Sequence, residues 1–452
     1  MITINDLRSK NKWWEESDFR PEEALFPRRE LFLTLEENLA HTLILNIVGL
    51  RRVGKSTMLQ QLIGLLLSKG TKPENIFYFL FDYDTQLQSS SHLDEVLSSY
   101  LGNIIKKTLV DINETVYIML DEIQYIDNWQ TVIKKYHDLS HKRIKFIITG
   151  SQTILLRGKD HESLAGRIFD YYLPPMSLRE FIEINKLEAK LTERFDFFNL
   201  PKIFDELVGY NVFNGSNIFS LSREYLVTGQ FPETHALPTI EARHSYIIDS
   251  VLGKVIGDCI RIFDIEKKDE FKLVTQHLIN NVSSIFEVSN IGREVAIARP
   301  TLDKYLEYLK ESYIIDIIFK YHKSLIKKGK LTRKLYAPCS NFNAAYNHYR
   351  EKHIDEVPEA FGKIVENFIY NVLAQKYKKN FFENNITFWR QGEKEIDFII
   401  TQEKKQLPIE VKFTNKVSGN DIKTLVSFMQ DKNLEFGIVI TKNELDKKTI
   451  YG

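Results

Sequence analysis

Cysteine is scarce in this 452-residue sequence: there are two, Cys259 and Cys339, and they form no C-x-x-C pair. That excludes a disulfide framework and a cysteine-based zinc site, and it suits a reducing compartment. Net charge is lacking too, because Lys+Arg and Asp+Glu both number 61. No global field points to nucleic acid or membrane, so any basic surface has to be local. Long apolar runs are missing. The stretch from Ile314 to Phe319 is short, is broken by Asp316, and falls far below bilayer-spanning length. The segment Met1 to Arg8 lacks the apolar core of a signal peptide. The expectation is a cytoplasmic protein without a membrane segment. What is present, 43% hydrophobic and 12% aromatic residues, suits a folded chain. Its length is too great for one core and implies about two to four domains.

The most informative stretch is Gly49-Leu50-Arg51-Arg52-Val53-Gly54-Lys55-Ser56, followed by Thr57. It satisfies the phosphate-loop pattern G-x-x-x-x-G-K-S/T at every constrained position. The flanks supply the context that the pattern needs. Leu43 to Val48 reads as a buried strand, and Met58 to Ile63 begins an apolar-faced helix. Glycines let backbone N–H groups curl around a polyphosphate, and the helix N-terminus adds partial positive charge. ATP is the expected ligand, held by Gly49, Arg51, Arg52, Val53, Gly54, Lys55, Ser56 and Thr57. Lys55 is expected at the β- and γ-phosphates and the Ser56 hydroxyl in the Mg²⁺ shell.

Three later strands complete the pattern. Ile76 to Phe81 is a continuous apolar run, after which Asp82 and Asp84 read either as site residues or, in the favoured reading, as caps of the strand–loop junction. Val116 to Leu120 runs into Asp121-Glu122, the Walker B arrangement. Asp121 is the expected Mg²⁺ ligand and Glu122 the general base that polarises the attacking water. Ile144 to Ser151 is another buried strand ending in small polar residues, with Ser151 and Thr149 placed to contact a γ-phosphate or the lytic water. After Leu164-Ala165-Gly166, two readings of Arg167 stand: an arginine finger, or a surface partner of an acidic neighbour. A finger acting in trans would imply a homo-oligomer.

These motifs, with Leu173-Pro174-Pro175-Met176-Ser177-Leu178-Arg179-Glu180-Phe181 and Tyr225 to Glu233, resemble a prokaryotic family of AAA+ ATPases that carry a C-terminal domain of unknown function. The resemblance implies an AAA+ core and ATP. This chain has Gly229-Gln230 where the family more often has two glycines. Neither an Asn-Lys-x-Asp guanine motif nor a Leu-Ser-Gly-Gly-Gln transporter signature occurs.

From about Glu183 to Ile265 the pattern is helical, with loops expected near Pro201, Gly215 and Pro232. This resembles an AAA+ helical lid. A helix over Phe271 to Asn281 leads into Glu287 to Glu294 and then a helix with Leu302, Tyr305, Leu306 and Leu309 on one face. Strands over Tyr313 to Phe319 and Lys334 to Ala337 flank the basic segment Lys323 to Lys330, with Arg333 and Lys334 just after it. The reading is a winged helix, used either for DNA through the basic wing or for protein contacts. Asp303, Glu307 and Glu311 on the second helix weigh against groove reading.

Near the C-terminus, Asp397 on one strand faces Glu410-x-Lys412 on the next, and Glu366 lies on a preceding helix. Strand periodicity places Glu410 and Lys412 on one face. This resembles the PD-(D/E)xK nuclease-like superfamily. The resemblance implies a second divalent ion on Glu366, Asp397 and Glu410, with Lys412 orienting the water. The alternatives are such a fold that no longer cuts, or a salt-bridged hairpin.

The expected architecture is α/β: a P-loop AAA+ parallel-sheet core (1–182), a helical lid (183–265), a winged helix (266–345) and a small restriction-endonuclease-like α/β domain (346–452). The expected function is an ATP-hydrolysing, DNA-associated protein with a C-terminal nuclease. The alternative is a nucleotide-dependent switch or scaffold whose C-terminal modules bind a partner without cutting.

Overall fold

The computed structural model describes residues 3–16, 18–81, 89–150, 164, 166–188, 193–322, 332–378 and 385–449. They belong to two compact units, Met1–Met176 and Ser177–Gly452.

The first unit is built on one parallel sheet. Its strands are β1 (Ile44–Val48), β2 (Ile76–Leu80), β3 (Val116–Asp121), β4 (Ile144–Gly150) and β5 (Ile168–Tyr172), in the order β2-β3-β4-β1-β5. Every residue of β1 and β4 is buried, as continuous apolar runs require when helices cover both faces of a parallel sheet. The helix Lys55–Ser68 turns Met58, Leu59, Leu62, Ile63 and Leu66 inward, and the helix Trp129–Leu139 turns in Trp129, Val132, Ile133 and Tyr136. Because β4 lies between β1 and β3, the C-terminal ends of these three strands are neighbours. In open α/β sheets that edge is where ligands bind.

The edge strand β2 is closed by the lead-in segment. The Asn11 side chain accepts from Tyr78 N–H at 2.7 Å and donates to Tyr78 C=O at 3.0 Å, standing in for a neighbouring strand. The indoles of Trp13 and Trp14 both donate to the Ile76 carbonyl, at 3.0 and 2.9 Å.

The second unit opens with helices. The helix Leu200–Thr228 runs unbroken through Gly215, with Pro201 in its first turn, so the loops expected at those two positions do not form. Proline at the first helical positions loses no hydrogen bond, and a glycine within a helix costs only about 1 kcal/mol. The helix does end before Gly229, where a Cβ would stand 2.7 Å from Tyr225 Cα and 2.8 Å from the Phe181 ring. Gln230, the departure from a second glycine, is buried. Its side chain accepts from Asn341 N–H and the Ser340 hydroxyl, while its N–H donates to Asn341 Oδ1.

Next come a helix (Lys268–Asn280), β6 (Ile285–Phe286), two helices (Val288–Glu294 and Arg299–Glu311), β7 (Asp316–Phe319) and β8 (Arg333–Tyr336). The strands form an antiparallel sheet ordered β6-β8-β7. Leu302, Tyr305, Leu306 and Leu309 are the buried face of their helix, at the spacing read from the sequence.

The last sheet contains β9 (Ile386–Gln391), β10 (Lys394–Gln402), β11 (Lys405–Lys412) and β12 (Ile438–Thr441), in the order β12-β11-β10-β9. The helix Pro358–Tyr377 belongs to the same core, where Tyr336, Tyr370 and Phe398 pack together. Tyr321 N–H donates to Phe388 C=O at 2.6 Å, which joins the two sheets. Among the described residues no helix is long and apolar enough to cross a membrane.

Candidate nucleotide site and a C-terminal acidic centre

The loop after β1 lies where strand order and motif both place a ligand. At Gly49 a Cβ would stand 2.3 Å from the Leu173 carbonyl oxygen, so only glycine lets the chain leave β1 here. Gly54 has φ +98°, a left-handed conformation that glycine adopts without penalty, and it caps the helix Lys55–Ser68. Among the described residues no side chain caps that helix, and its first backbone bond runs from Met58 N–H to Gly54 C=O at 3.0 Å. The N–H groups of Gly54, Lys55, Ser56 and Thr57 therefore form the donor-rich end that suits an anion. Lys55 is buried and donates to the carbonyls of Gly49 and Leu50 at 3.1 and 2.9 Å. Its ammonium lies 3.9 Å from Glu122 Oε1.

The carboxylates come from β3. Asp121 is fully buried and accepts from Tyr78 OH at 3.0 Å and from the Thr149 hydroxyl. Burial, and then the charge of Glu122, raise its pKa above the ordinary carboxylate value, against which the nearby hydroxyls of Ser56, Thr149 and Tyr78 work. Thr149 reaches this position because β3 and β4 pair in parallel with Leu120 opposite Ile148. Its oxygen also accepts from Glu122 N–H at 3.1 Å. Glu122 itself is left-handed (φ +54°), an unusual state for a residue with a Cβ, and its carboxylate accepts from the Gln124 amide.

The chemistry of this donor set fits a magnesium–polyphosphate. It offers a cradle of backbone donors, a buried ammonium, a serine hydroxyl near a buried aspartate, and a glutamate held by two neighbours. Of the sequence-derived set, Gly49, Gly54, Lys55, Ser56, Asp121 and Glu122 converge here. Arg51 donates to Tyr125 OH at 2.5 Å. Arg167 forms an exposed ion pair, with Nε and Nη2 at 3.0 and 3.2 Å from the Asp138 carboxylate. Ser151, Asp82, Asp84 and Ala165 lie outside the described residues, as do Lys327, Lys328 and Lys330.

Sequence reading missed Arg29. It is buried against the phosphate loop and donates to the carbonyls of Val53 at 2.6 Å and Pro174 at 2.8 Å. Nothing in its local pattern separates it from Arg28, so no sequence signal marks it.

In the second unit Glu366, Asp397, Glu410 and Lys412 are brought together, as the nuclease-like pattern implies. β10 carries an irregularity between Ile396 and Ile399, the stretch that contains Asp397. Lys412 Nζ lies 2.7 Å from Glu410 Oε1, and Glu410 Oε2 accepts from Asp397 N–H at 3.3 Å. Asp397 Oδ2 accepts from Val411 N–H at 2.9 Å. The middle, however, holds Lys334 of β8. Its ammonium is 2.8 Å from Glu366, 2.8 Å from Glu395 and 2.9 Å from Asp397.

Lys334 was read as part of the basic flank of a wing. With 2% of its surface exposed it is not available to phosphates. Burial opposes its charge, but Asp397, Glu366 and Glu395 outweigh that and raise its pKa. Glu366 is pushed up to about 8, by burial first and by Asp397 second. Glu410 is raised for the same two reasons. Among the described residues no group of three His, Cys, Asp or Glu side chains is disposed to hold a metal. The donor set as arranged does not fit the second divalent ion that the nuclease-like pattern implied, because a lysine ammonium already bridges its carboxylates.

Comparison with known proteins gives a family match on the first unit. Residues 41–182 match the family described as AAA domain, while 220–337 and 361–451 match two domains of unknown function. An uncharacterized protein of Methanocaldococcus jannaschii is 26% identical over 400 residues, covering 86% of this chain and 79% of that protein. An uncharacterized protein of Haemophilus influenzae is 24% identical over 375 residues, covering 81% and 82%. Among solved structures, the Aeropyrum pernix ORC1 protein in complex with DNA is 12% identical and covers 74% of this chain and 96% of that one. Its TM-score is 0.29, too low to speak to this chain's function. The family match lies on the segment that carries the phosphate loop, the Asp121–Glu122 pair and Thr149, and there the five-stranded parallel sheet is a P-loop core of the AAA+ ATPase fold.

Proposed function

We propose that the chain binds and hydrolyses ATP with Mg²⁺ in its first unit, and that nucleotide state governs what its second unit binds. One observation carries the reading: Lys55, 3.9 Å from Glu122, and Asp121, held by the Tyr78 and Thr149 hydroxyls, meet at the adjoining C-terminal ends of β1, β3 and β4. When bound, Mg²⁺ would neutralise charge that develops on the transferred phosphoryl group. Lys55 would hold phosphate oxygens, Ser56 and Asp121 would fix the cation, and Glu122 would orient and deprotonate the attacking water. The test is nucleotide binding beside turnover. Lys55→Ala should lose both, whereas Glu122→Gln should bind ATP and lose about 100-fold or more in turnover. Wild-type turnover in Glu122→Gln would refute the base assignment.

For the second unit we favour the switch or scaffold reading over phosphodiester cleavage, because Lys334 sits among the carboxylates that a nuclease would use. The element order from Lys268 to Tyr336, helix–strand–helix–helix–strand–strand, supports a winged helix. Its basic segment makes DNA the partner to test first. Affinity should fall steeply with salt and drop when Lys327, Lys328 and Lys330 are neutralised. Insensitivity to both would leave a protein partner. An intracellular location accords with the two buried, unpaired cysteines.

A further inference from the structure

We infer that Lys334 is the built-in cation of the C-terminal acidic centre, standing where a nuclease-like fold would hold a divalent metal, so that this centre takes no Mg²⁺ or Mn²⁺. The inference deepens the reading of the second unit as a binding module that does not cut. It is tested by metal binding alone, whatever the partner proves to be.

The geometry is that of a closed ion cluster. Lys334 Nζ contacts one oxygen each of Glu366, Glu395 and Asp397 at 2.8–2.9 Å, the distance of charge-assisted N–H···O bonds. The ammonium donates to Glu395 and Asp397, and Glu366 is its third ion-pair partner. Three further oxygens of the cluster are engaged as well. Asp397 Oδ2 is held by Val411 N–H, Glu410 Oε1 by Lys412, and Glu410 Oε2 by Asp397 N–H. Tyr336, on the same face of β8 as Lys334, donates its hydroxyl to Glu366 at 2.7 Å. A divalent ion needs six or so oxygens at about 2.0–2.6 Å. It could collect them here only by expelling a buried lysine, which would then carry its charge into an apolar surround.

The backbone holds the lysine in place. β8 is the central strand of its sheet, paired through Lys334 with Ile285 on one side and Ile318 on the other. Just beyond it, Ala337 exchanges hydrogen bonds with the Asn367 side chain, at 2.7 and 3.2 Å, which pins β8 to the helix that presents Glu366. Those pairings fix the backbone position from which the Lys334 side chain reaches the carboxylates. Lys334 therefore ties β8, the helix Pro358–Tyr377 and β10 together as a metal would.

The test is titration of the full chain with Mn²⁺, without nucleotide, by calorimetry and electron paramagnetic resonance. Wild type and Asp397→Asn should give the same isotherm, since no Mn²⁺ is bound through Asp397. Lys334→Met should gain one Mn²⁺ per chain, and Lys334→Met with Asp397→Asn should lose it again. A wild-type Mn²⁺ site that Asp397→Asn abolishes would overturn the inference, because the metal would then displace the lysine. A folded Lys334→Met that binds no extra Mn²⁺ would also overturn it. Should Lys334→Met not fold, Lys334→Gln takes its place in the same comparison, and the wild-type arm decides independently.

Discussion

Thr149→Val isolates what holds the Asp121 and Glu122 carboxylates in place. The substitution keeps volume and β-branching at a position with no exposed surface, so packing and strand preference are preserved. It removes one hydroxyl with two bonds: donation to Asp121 and acceptance from Glu122 N–H at 3.1 Å. Leaving the Glu122 N–H without its acceptor costs about 1–3 kcal/mol. Asp121 keeps its Tyr78 donor, so its loss is the net worth of one bond, about 1 kcal/mol. The sum, about 2–4 kcal/mol, should lower the melting temperature of the first unit by about 5–12 °C. Because the phosphate loop is untouched, ATP affinity should stay within about 3-fold. Turnover should fall by about 10- to 100-fold, since each decade corresponds to about 1.4 kcal/mol of lost positioning at Glu122. Calorimetry, nucleotide titration and phosphate release read the three quantities. Thr149→Ser retains the hydroxyl and should track wild type. If Thr149→Val matches wild type in melting and turnover, the hydroxyl does not support the carboxylates and the reasoning fails.

Two further outcomes are expected. Arg167 and Asp138 are each about a third exposed, at 34% and 38%, so Asp138→Asn and Arg167→Ala should each change stability by no more than about 1 kcal/mol and turnover by no more than about 3-fold. A loss of about 1000-fold confined to Arg167→Ala would instead assign it to the transition state and imply a second copy at the site. His244 is buried, its Nε2 has no hydrogen-bond partner among the described residues, and its pKa is pushed down to about 4, chiefly by burial and then by the charge of His348. A depressed imidazole pKa means that the unfolded chain takes the proton first. Stability should therefore fall as pH drops from about 6.5 toward 4, by an amount on the order of 2 kcal/mol. Glu311, raised to about 7 chiefly by burial, titrates with the opposite sign, so the readout is the difference in urea midpoint between wild type and His244→Phe across that window. An unchanged difference would remove His244 from the account.

What could be read in advance was what is local. The phosphate loop, the Asp121–Glu122 pair and the stripe Leu302, Tyr305, Leu306, Leu309 each lie within one element, and their spacing is their meaning. The helix Leu200–Thr228 was obscured by a residue-level signal, since Gly215 and Pro201 both read as breaks although a long helix tolerates them where they sit. The strands β9 and β12 were missed because they complete a sheet only through β10 and β11. Arg29, Asn11 and Lys334 were illegible for a stronger reason. Each is polar, each is buried, and each has a partner far along the chain: Lys334 63 residues away at Asp397, Asn11 67 away at Tyr78, and Arg29 145 away at Pro174. In Arg333-Lys334-Leu335-Tyr336 the pattern gives the face that Lys334 shares with Tyr336, but not what lies across from it. The same four letters serve a phosphate-gripping flank or a buried counter-ion. The choice between them is made by Glu366, Glu395 and Asp397, which surround the ammonium closely enough to outweigh its desolvation and make a lysine stable where the pattern of acids alone asks for a metal.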